Sequence, residues 1–432
     1  MSTIGRGDRR DFLRLSALAA AGGLMAGCGG NSPQPQPAAP GRPSSGGKAV
    51  QTVRGKIDPS QLGLTDMHEH VLRDKVPNMA QALMMFDAQT LKEVTILSDP
   101  GDVPKEFFPE DGDPITLKNR SYLVDHYANG KDQFVLDEPL MLGELKDFAA
   151  LGGRSILDCS VTFERGSPLI VRRMSEQTGV NVVLSTGINS HVLLPKKFKS
   201  MDVAGLVSFF EKELFVGIDD TDVQCGNIKL LAESELFGTK ATEDVPLMRG
   251  LEAAASVSRN SGVPVTVHAY LLGDDVLNSL LERATGFGMP EGKMILAHFP
   301  TALQPMTYDE LIHDPRRFAP NLDIGFRSMD KGFILSFDLF GAGTSWADTR
   351  EGLVPSYDPV SLAAIYQYAK AGYADRIVLG TDLWMRNSAR QYGGAGISRL
   401  LNYVVPMLKK SGVSQADIDQ MLVHTPARIL AF

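Results

Sequence analysis

Short apolar or β-branched runs alternate with longer amphipathic stretches from about Val53 to the end of the chain. This alternation is typical of repeated strand–helix units built around a parallel sheet. Eight such runs predict eight strands, at residues 62–71, 155–161, 181–188, 227–234, 264–269, 294–299, 332–340 and 376–383. Between them, residues 137–153, 246–262 and 358–372 combine helical apolar spacing with a closing glycine. Eight repeats predict a (β/α)8 TIM barrel; a doubly wound sheet is the alternative, although no glycine-rich phosphate turn follows the first strand.

Three connections are longer than a plain strand–helix link, namely residues 72–137, 300–331 and 385–398. Each follows the carboxyl end of a predicted strand, and in a barrel these ends form the catalytic face. We therefore expect long loops on the catalytic face, where they would form a lid or the walls of a substrate pocket.

The N-terminal segment has the pattern of a targeting sequence. Arg9 and Arg10 precede a short run rich in Ala and Gly that ends in LMAGC at Cys28. This pattern is typical of a twin-arginine signal peptide, predicted at residues 1–27, with a lipobox at which Cys28 is acylated; an ordinary short hydrophobic helix is the alternative. Residues 28–52 are rich in Pro, Gly and Ser and predict a disordered tether, which leaves 53–432 for the barrel. We expect an exported bacterial lipoprotein, periplasmic or at the cell surface, that meets the membrane only through its lipid anchor.

The composition excludes some classes of partner. A hydrophobic content of 43% permits a large buried core. The net charge of −8 lacks the excess of positive charge that is typical of nucleic-acid-binding proteins. We therefore expect a small-molecule substrate and no DNA or RNA. Three cysteines are too few for a disulfide framework. Cys159, late in one predicted strand, and Cys225, just before another, would lie near opposite ends of the barrel, so we expect both to be free.

Six side chains with catalytic or ligand chemistry fall in the predicted strands: His68, His70, Lys229, His268, His298 and Asp382. His68 and His70 alternate on a strand, so both can face the same cation, and two further imidazoles can hold a second one. Each residue also has a simpler interpretation, as an incidental HxH pair, a hydrogen-bonded core histidine or a helix cap. Lys229 is harder to dismiss, because a lysine in an apolar strand is costly unless it is paired or chemically altered. Four of the eight histidines fall in three predicted strands, which favours one shared site.

This set resembles that of the phosphotriesterase family in the amidohydrolase superfamily, whose barrel binds two divalent ions. The resemblance extends to the segments GGRSILDCS, GVNVVLSTGI, SGVPVTVH, RIVLGTD and HTPARIL. It implies that His68, His70 and Asp382 bind the more buried ion, and that His268 and His298 bind the more exposed one. It further implies that carbon dioxide converts Lys229 to a carbamate that bridges both ions.

The resemblance also implies a catalytic mechanism and a set of cofactors. A water held between the ions would be the nucleophile, and Asp382 would orient it and carry its proton away. Zinc is the favoured metal, with manganese, cobalt or iron as alternatives for these ligands. Glu69, between the two histidines, should face away from the ions. A homodimer would fit the family's tendency to dimerise.

Departures from the family pattern bear on the substrate. Asn189 stands where the family's phosphotriesterases have an aromatic residue, and Phe299, Pro300 and Thr301 replace acidic residues that follow the strand 6 histidine. Asp338 is kept, but the apolar Leu339 follows it. We therefore expect a hydrolase of ester-type bonds, with a lactone or carboxylic ester favoured. The alternatives are an organophosphate phosphotriesterase or phosphodiesterase, and a non-catalytic tethered binding protein, against which the complete ligand set argues.

Overall fold

Eight parallel strands form one sheet, in the order in which they occur in the chain. The computed structural model describes residues 47–73, 114–120, 135–162, 164–188, 195–232, 246–270, 272–303, 313–314, 316, 319–341 and 358–432. The eight strands are β3 (Thr65–Glu69), β4 (Ser155–Asp158), β5 (Asn181–Ile188), β6 (Asn227–Leu231), β7 (Val265–His268), β8 (Met294–Ala297), β9 (Ile334–Phe337) and β10 (Ile377–Leu379). An antiparallel hairpin of β1 (Val50–Thr52) and β2 (Gly55–Ile57) precedes them.

The two edges of the sheet meet, which nearly closes the barrel. The backbone N–H of Asp382, three residues beyond β10, donates to the carbonyl of His68 on β3 at 2.9 Å. Gly380 permits this approach, because a Cβ there would lie 2.7 Å from Oδ1 of Asp66 and 2.9 Å from the backbone nitrogen of His68. The predicted (β/α)8 barrel is thus confirmed.

Helices occupy the connections between the strands. They are α1 (Glu138–Ala150), α2 (Pro168–Thr178), α3 (Lys196–Lys199), α4 (Val203–Glu211), α5 (Pro246–Ser261), α6 (Asp274–Gly286), α7 (Asp323–Asp330), α8 (Asp358–Lys370), α9 (Val405–Lys410), α10 (Gln415–Asp419) and α11 (Thr425–Leu430). Local sequence sets their ends: Asp137 caps α1 by accepting from the N–H of Leu140 at 3.1 Å, and Gly179 ends α2 at φ 74°. None of the described helices combines the length and apolar character that a membrane crossing requires.

Alternation along the strands separates two apolar cores. On β4, Ile156 packs in a large cluster with residues of the helices, whereas Leu157 packs in a smaller cluster with residues of other strands. The smaller cluster also contains Val50 of β1 and Leu430 of α11. A barrel with a filled interior is a rigid support for side chains placed at its strand ends.

The two ends of the folded body pair with each other. Ala49 and Phe432 exchange backbone hydrogen bonds of 3.2 and 3.1 Å, and Val53 donates to the carbonyl of Val182 at 2.9 Å. The strand Val50–Thr52 lies in the segment 28–52 that we expected to be a tether, so the folded body begins a few residues before Val53. The predicted signal peptide, 1–27, lies outside the described residues.

Two of the cysteines are free and buried, as predicted. Cys159 follows the last residue of β4, and Cys225 precedes the first residue of β6. Cys28 lies outside the described residues.

Candidate metal centre

Five of the six side chains singled out from the sequence lie at or near the carboxyl ends of their strands, and Lys229 lies in the middle of its strand. His68 lies on β3 and His70 follows it, Lys229 is the central residue of β6, and His268 ends β7. His298 directly follows β8, and Asp382 lies three residues beyond β10. A register shift between Asp66 and Glu69 of β3 adds one residue there, and such a bulge re-aims neighbouring side chains.

His68, His70 and Asp382 form one compact group of ligand atoms. Oδ1 of Asp382 lies 3.3 Å from Nε2 of His70 and 3.6 Å from Nε2 of His68. Their ligand atoms all lie within 4.8 Å of one another. Oδ1 of Asp382 is buried and accepts no hydrogen bond from any described residue. A buried carboxylate oxygen without a partner is costly, and a cation at this point would satisfy it.

Lys229 and two more histidines adjoin this group. Nζ of the fully buried Lys229 lies 2.9 Å from Nε2 of His68. The ring of His298 lies 4.6 Å from that of His68 and 4.3 Å from that of His268, between centroids. All six predicted side chains therefore share one site. Their roles as ligands and as catalytic groups stay predictions.

Asp338 holds two of the rings in place. Nδ1 of His68 donates to one carboxylate oxygen at 2.8 Å, and Nδ1 of His298 donates to the other at 3.0 Å. The backbone N–H of His298 also donates to this carboxylate, at 2.9 and 3.1 Å. Nδ1 of His70 is hydrogen-bonded to Oγ of Ser160 at 2.7 Å. A carboxylate partner at Nδ1 fixes the tautomer of His68 and His298 in which Nε2 carries the lone pair for a cation, whereas the hydroxyl of Ser160 can donate or accept.

No role was predicted for Asp338 from the sequence. Its position directly after β9, next to the other strand-end groups, is the signal that could have identified it. Ligand atoms of Asp338, His68 and His298 also lie within 4.8 Å of one another. Because both rings reach Asp338 through Nδ1, the arrangement fits a carboxylate that orients ligands better than one that binds a cation itself.

Burial keeps the imidazoles of His68, His70 and His268 neutral. Burial, with the charge of Lys229, lowers the pKa of His68 to about 4, and burial lowers that of His70 to about 4. Burial lowers the pKa of His268 well below its ordinary value. A neutral imidazole has the free lone pair that a metal ligand needs.

The carboxylates of the site are ionised. Burial alone would raise the pKa of Asp382, but His68 and His298 outweigh it and bring this pKa to about 2. The same two histidines hold the pKa of Asp338 well below its usual range in spite of its burial. Neutral imidazoles and ionised carboxylates together are a donor set suited to a divalent cation.

Two of the predicted ligands have a left-handed backbone. The φ angle is 59° at His298 and 52° at Asp382. Residues other than glycine adopt the left-handed region at a cost of roughly 1–3 kcal/mol, and residues strained in this way cluster at functional sites. Glu69 helps to hold this segment, because its buried carboxylate accepts from the hydroxyl of Thr381 and from the N–H of Leu383.

Comparison with known proteins agrees with this geometry. A sequence profile of the phosphotriesterase family matches residues 48–282 and 321–430. The chain belongs to the phosphotriesterase family. Among curated relatives, the N-acetyltaurine hydrolase of Dictyostelium discoideum is 26% identical over 390 residues, which cover 88% of this chain and 97% of the relative. Because such relatives are named hydrolases, the predicted enzyme class, a hydrolase, is confirmed.

Solved structures of other proteins share the fold. A resiniferatoxin-binding protein from Rhodobacter sphaeroides superposes with a TM-score of 0.69 and 25% identity, covering 88% of this chain and 94% of its own. A lactonase from Listeria monocytogenes superposes with a TM-score of 0.63 and 17% identity, covering 89% of this chain and 99% of its own. The second likeness is evidence for the fold alone.

The segment after the β8 histidine differs from the phosphotriesterase-family pattern described above. Phe299, Pro300 and Thr301 are buried in a 3-10 turn, and the ring of Phe299 packs 6.1 Å from that of Phe337, between centroids. The hydroxyl of Thr301 donates to the carbonyl of His298 at 2.7 Å. This turn therefore contributes packing and carries no carboxylate. Asn189 lies outside the described residues.

Proposed function

We propose that this phosphotriesterase-family protein is a binuclear-metal hydrolase that cleaves an ester-type bond, in a lactone or a carboxylic ester. The observation that carries the proposal is the orphaned, buried Oδ1 of Asp382 among neutral imidazoles, next to the fully buried Lys229. The packed, carboxylate-free turn after His298 supports a carbonyl substrate over an organophosphate, because acidic residues follow this histidine in the family's phosphotriesterases.

The residues of the site fit two ions. His68, His70 and Asp382 would hold one, and His268 and His298 the other, with Lys229 as a carbamate between them. Zinc is favoured, and manganese, cobalt or iron suit the same ligands. When bound, the ions would lower the pKa of a water so that it attacks as hydroxide, and they would polarise the carbonyl oxygen of the substrate.

The protein's own groups would position the reaction. Asp338 and Ser160 hold the imidazoles through Nδ1, so the rings need not reorient when substrate binds. Asp382 is ionised, and it can accept the proton that the attacking water loses. Its own N–H donates to the carbonyl of His68, which keeps this base in register with the histidine strand.

A side-by-side assay with one common leaving group tests the preferred bond. We expect a higher kcat/KM for lactones and aryl carboxylic esters than for an aryl phosphotriester or phosphodiester. The reverse ranking would establish the organophosphate alternative. Full metal loading without turnover of any of these substrates would favour a binding protein.

A second candidate is an amide hydrolase. It is favoured by the N-acetyltaurine hydrolases, which match this chain over 97% or more of their own length. Attack on an amide carbonyl needs the same groups, but the leaving amine must gain a proton. Adding N-acetyltaurine and a neutral N-acetyl amine to the panel separates the candidates, since an amide hydrolase would prefer one of these to every ester.

We further propose that the protein is exported and anchored by a lipid on Cys28, and that it forms a homodimer. The twin-arginine pattern and LMAGC segment support the first proposal. Fractionation of cells that express the full chain tests it, because Cys28→Ala should move the protein from the membrane to the soluble periplasmic fraction. Sedimentation of the purified protein tests the dimer.

A further inference from the structure

Arg73 occupies a fixed position beside the predicted metal centre. It lies three residues after His70, and Val71 and Leu72 between them are fully buried. Its backbone N–H donates to the carbonyl of Leu136 at 3.0 Å, and its carbonyl accepts from the N–H of Leu136 at 3.2 Å. The main chain at Arg73 is therefore held by Leu136 through both its N–H and its carbonyl, in an isolated antiparallel bridge.

The guanidinium of Arg73 has spare hydrogen-bonding capacity. It is half-buried and makes one side-chain hydrogen bond to the described residues, from Nη1 to the carbonyl of Trp384 at 3.4 Å. No carboxylate of the described part pairs with it. A guanidinium carries five N–H donors in a planar fork, and most of those of Arg73 have no partner among the described residues.

Neighbouring arginines differ in this respect. Arg386 pairs with Asp137 at 2.5 Å, and Arg390 pairs with Asp147 at 2.7 Å. These pairs tie the segment after Asp382 to α1 and to the residue that caps it. Trp384, which receives the hydrogen bond from Arg73, therefore belongs to a segment that is already held in place.

Arg73 connects two segments that carry predicted ligands. Its main chain lies three residues after His70, and its Nη1 reaches the carbonyl of Trp384, two residues after Asp382. A fixed cation next to a site for two dications is unfavourable by itself. An anion that lies between them would remove this repulsion.

We propose that Arg73 binds an anionic group of the substrate, a carboxylate or sulfonate, on the His70 side of the site. The inference rests on the proposed function, since this anion belongs to the molecule whose carbonyl is cleaved. The planar fork of Arg73 can grip two oxygens of such a group at once. The substrate class is then an ester or amide that carries its own acidic group.

Paired substrates test this assignment. Each pair has one acyl group and leaving group, with either a free carboxylate or sulfonate or a neutral methyl-capped form of it. Arg73→Gln should raise KM for the anionic member by about 10- to 100-fold and leave the neutral member's KM within about 2-fold. Arg73→Lys keeps the charge without the fork and should fall between wild type and Arg73→Gln.

Arg120→Gln is the matched control. Nε of Arg120 donates to the carbonyl of Asn387 at 3.0 Å, so this arginine contacts the same segment after β10. We expect KM for both members of each pair to stay within about 2-fold of wild type in this variant. An equal rise in KM for anionic and neutral substrates in Arg73→Lys, or an effect of Arg120→Gln as large as that of Arg73→Gln, would overturn the assignment.

A binding measurement separates this inference from the proposed function. Calorimetric titration of the metal-loaded protein with propionate and ethanesulfonate requires no turnover. We expect both anions to bind to the wild type. They should bind at least about 10-fold more weakly to Arg73→Lys and to Arg73→Gln. Equal affinity in wild type and Arg73→Lys would overturn the role of Arg73, whether or not an ester is hydrolysed. Turnover of no carbonyl substrate would instead refute the proposed function.

Discussion

Replacement of Asp338 by Asn should weaken metal binding without unfolding the protein. The carboxylate accepts from Nδ1 of His68 at 2.8 Å and from Nδ1 of His298 at 3.0 Å. Asparagine keeps the shape but turns one of the two acceptors into a donor. One imidazole must then lose its partner, or move its proton from Nδ1 to Nε2, where it would block a cation.

The size of the effect follows from these two bonds. Each is a hydrogen bond to a charged group, of about 1.5–3 kcal/mol. Loss of a partner that orients a metal ligand typically costs about 10- to 100-fold in metal affinity, or about 1.4–2.8 kcal/mol. Ser160→Ala should have a smaller effect on metal affinity, because the hydroxyl of Ser160 is hydrogen-bonded to a single ring of the site, that of His70. We expect its effect on affinity to stay near the lower end of this range.

Competition with a chromophoric chelator near pH 8 measures the affinity, and circular dichroism checks the fold. A folded Asp338→Asn protein with wild-type affinity would refute the orienting role. Complete loss of one ion per chain at saturating metal would also contradict it, since that result would make Asp338 a ligand.

Two further predictions concern the protein's stability. The pKa values of His68 and His70 are about 4 in the fold against about 6.5 in an unfolded chain, so the unfolded chain binds more protons between these values. The histidines' contribution to the free energy of unfolding of the metal-free protein should therefore be fully present above about pH 6.5 and fall by about 1.4 kcal/mol per pKa unit and histidine toward pH 4. Asp66, whose pKa burial raises to about 8, acts in the opposite direction, so the difference between wild type and His70→Asn in urea unfolding at about pH 7 and 5 is the quantity to measure. An equal difference at the two pH values would contradict the prediction. Gly187→Ala should destabilise the fold by at least about 2 kcal/mol, because Gly187 has φ +135° and a Cβ there would lie 1.9 Å from the carbonyl oxygen of Lys229. Gly143→Ala, on α1 with no atom within 4 Å of the added Cβ, should instead stabilise by about 0.5–1 kcal/mol, and equal changes in the two variants would refute the steric argument.

The apolar pattern predicted the strands better at their centres than at their carboxyl ends. The prediction of 181–188 matches β5, whereas 376–383 shrinks to Ile377–Leu379. Asp382 has φ 52°, so no strand can extend through this residue. A hydrophobic run shows which residues are buried, but not where the backbone leaves the ladder.

The candidate site likewise contains residues that the sequence identified and residues that only the structure identified. Histidines at strand ends are visible in the sequence because the residue type and the periodicity coincide there. The role of Asp338 depends on distances of about 3 Å between three strands, which no spacing along one chain can reveal. Arg73 was missed for a related reason, since its significance lies in having one long hydrogen bond to the described residues and in the charge it places near His70.

The metal content of the purified protein shows whether these side chains form a binuclear centre. Elemental analysis of the purified, active protein should find about two divalent ions per chain, and fewer in Lys229→Ala. Chelation should abolish hydrolysis, and restored metal should return it. Active protein without stoichiometric metal would contradict the proposal of a binuclear metal centre.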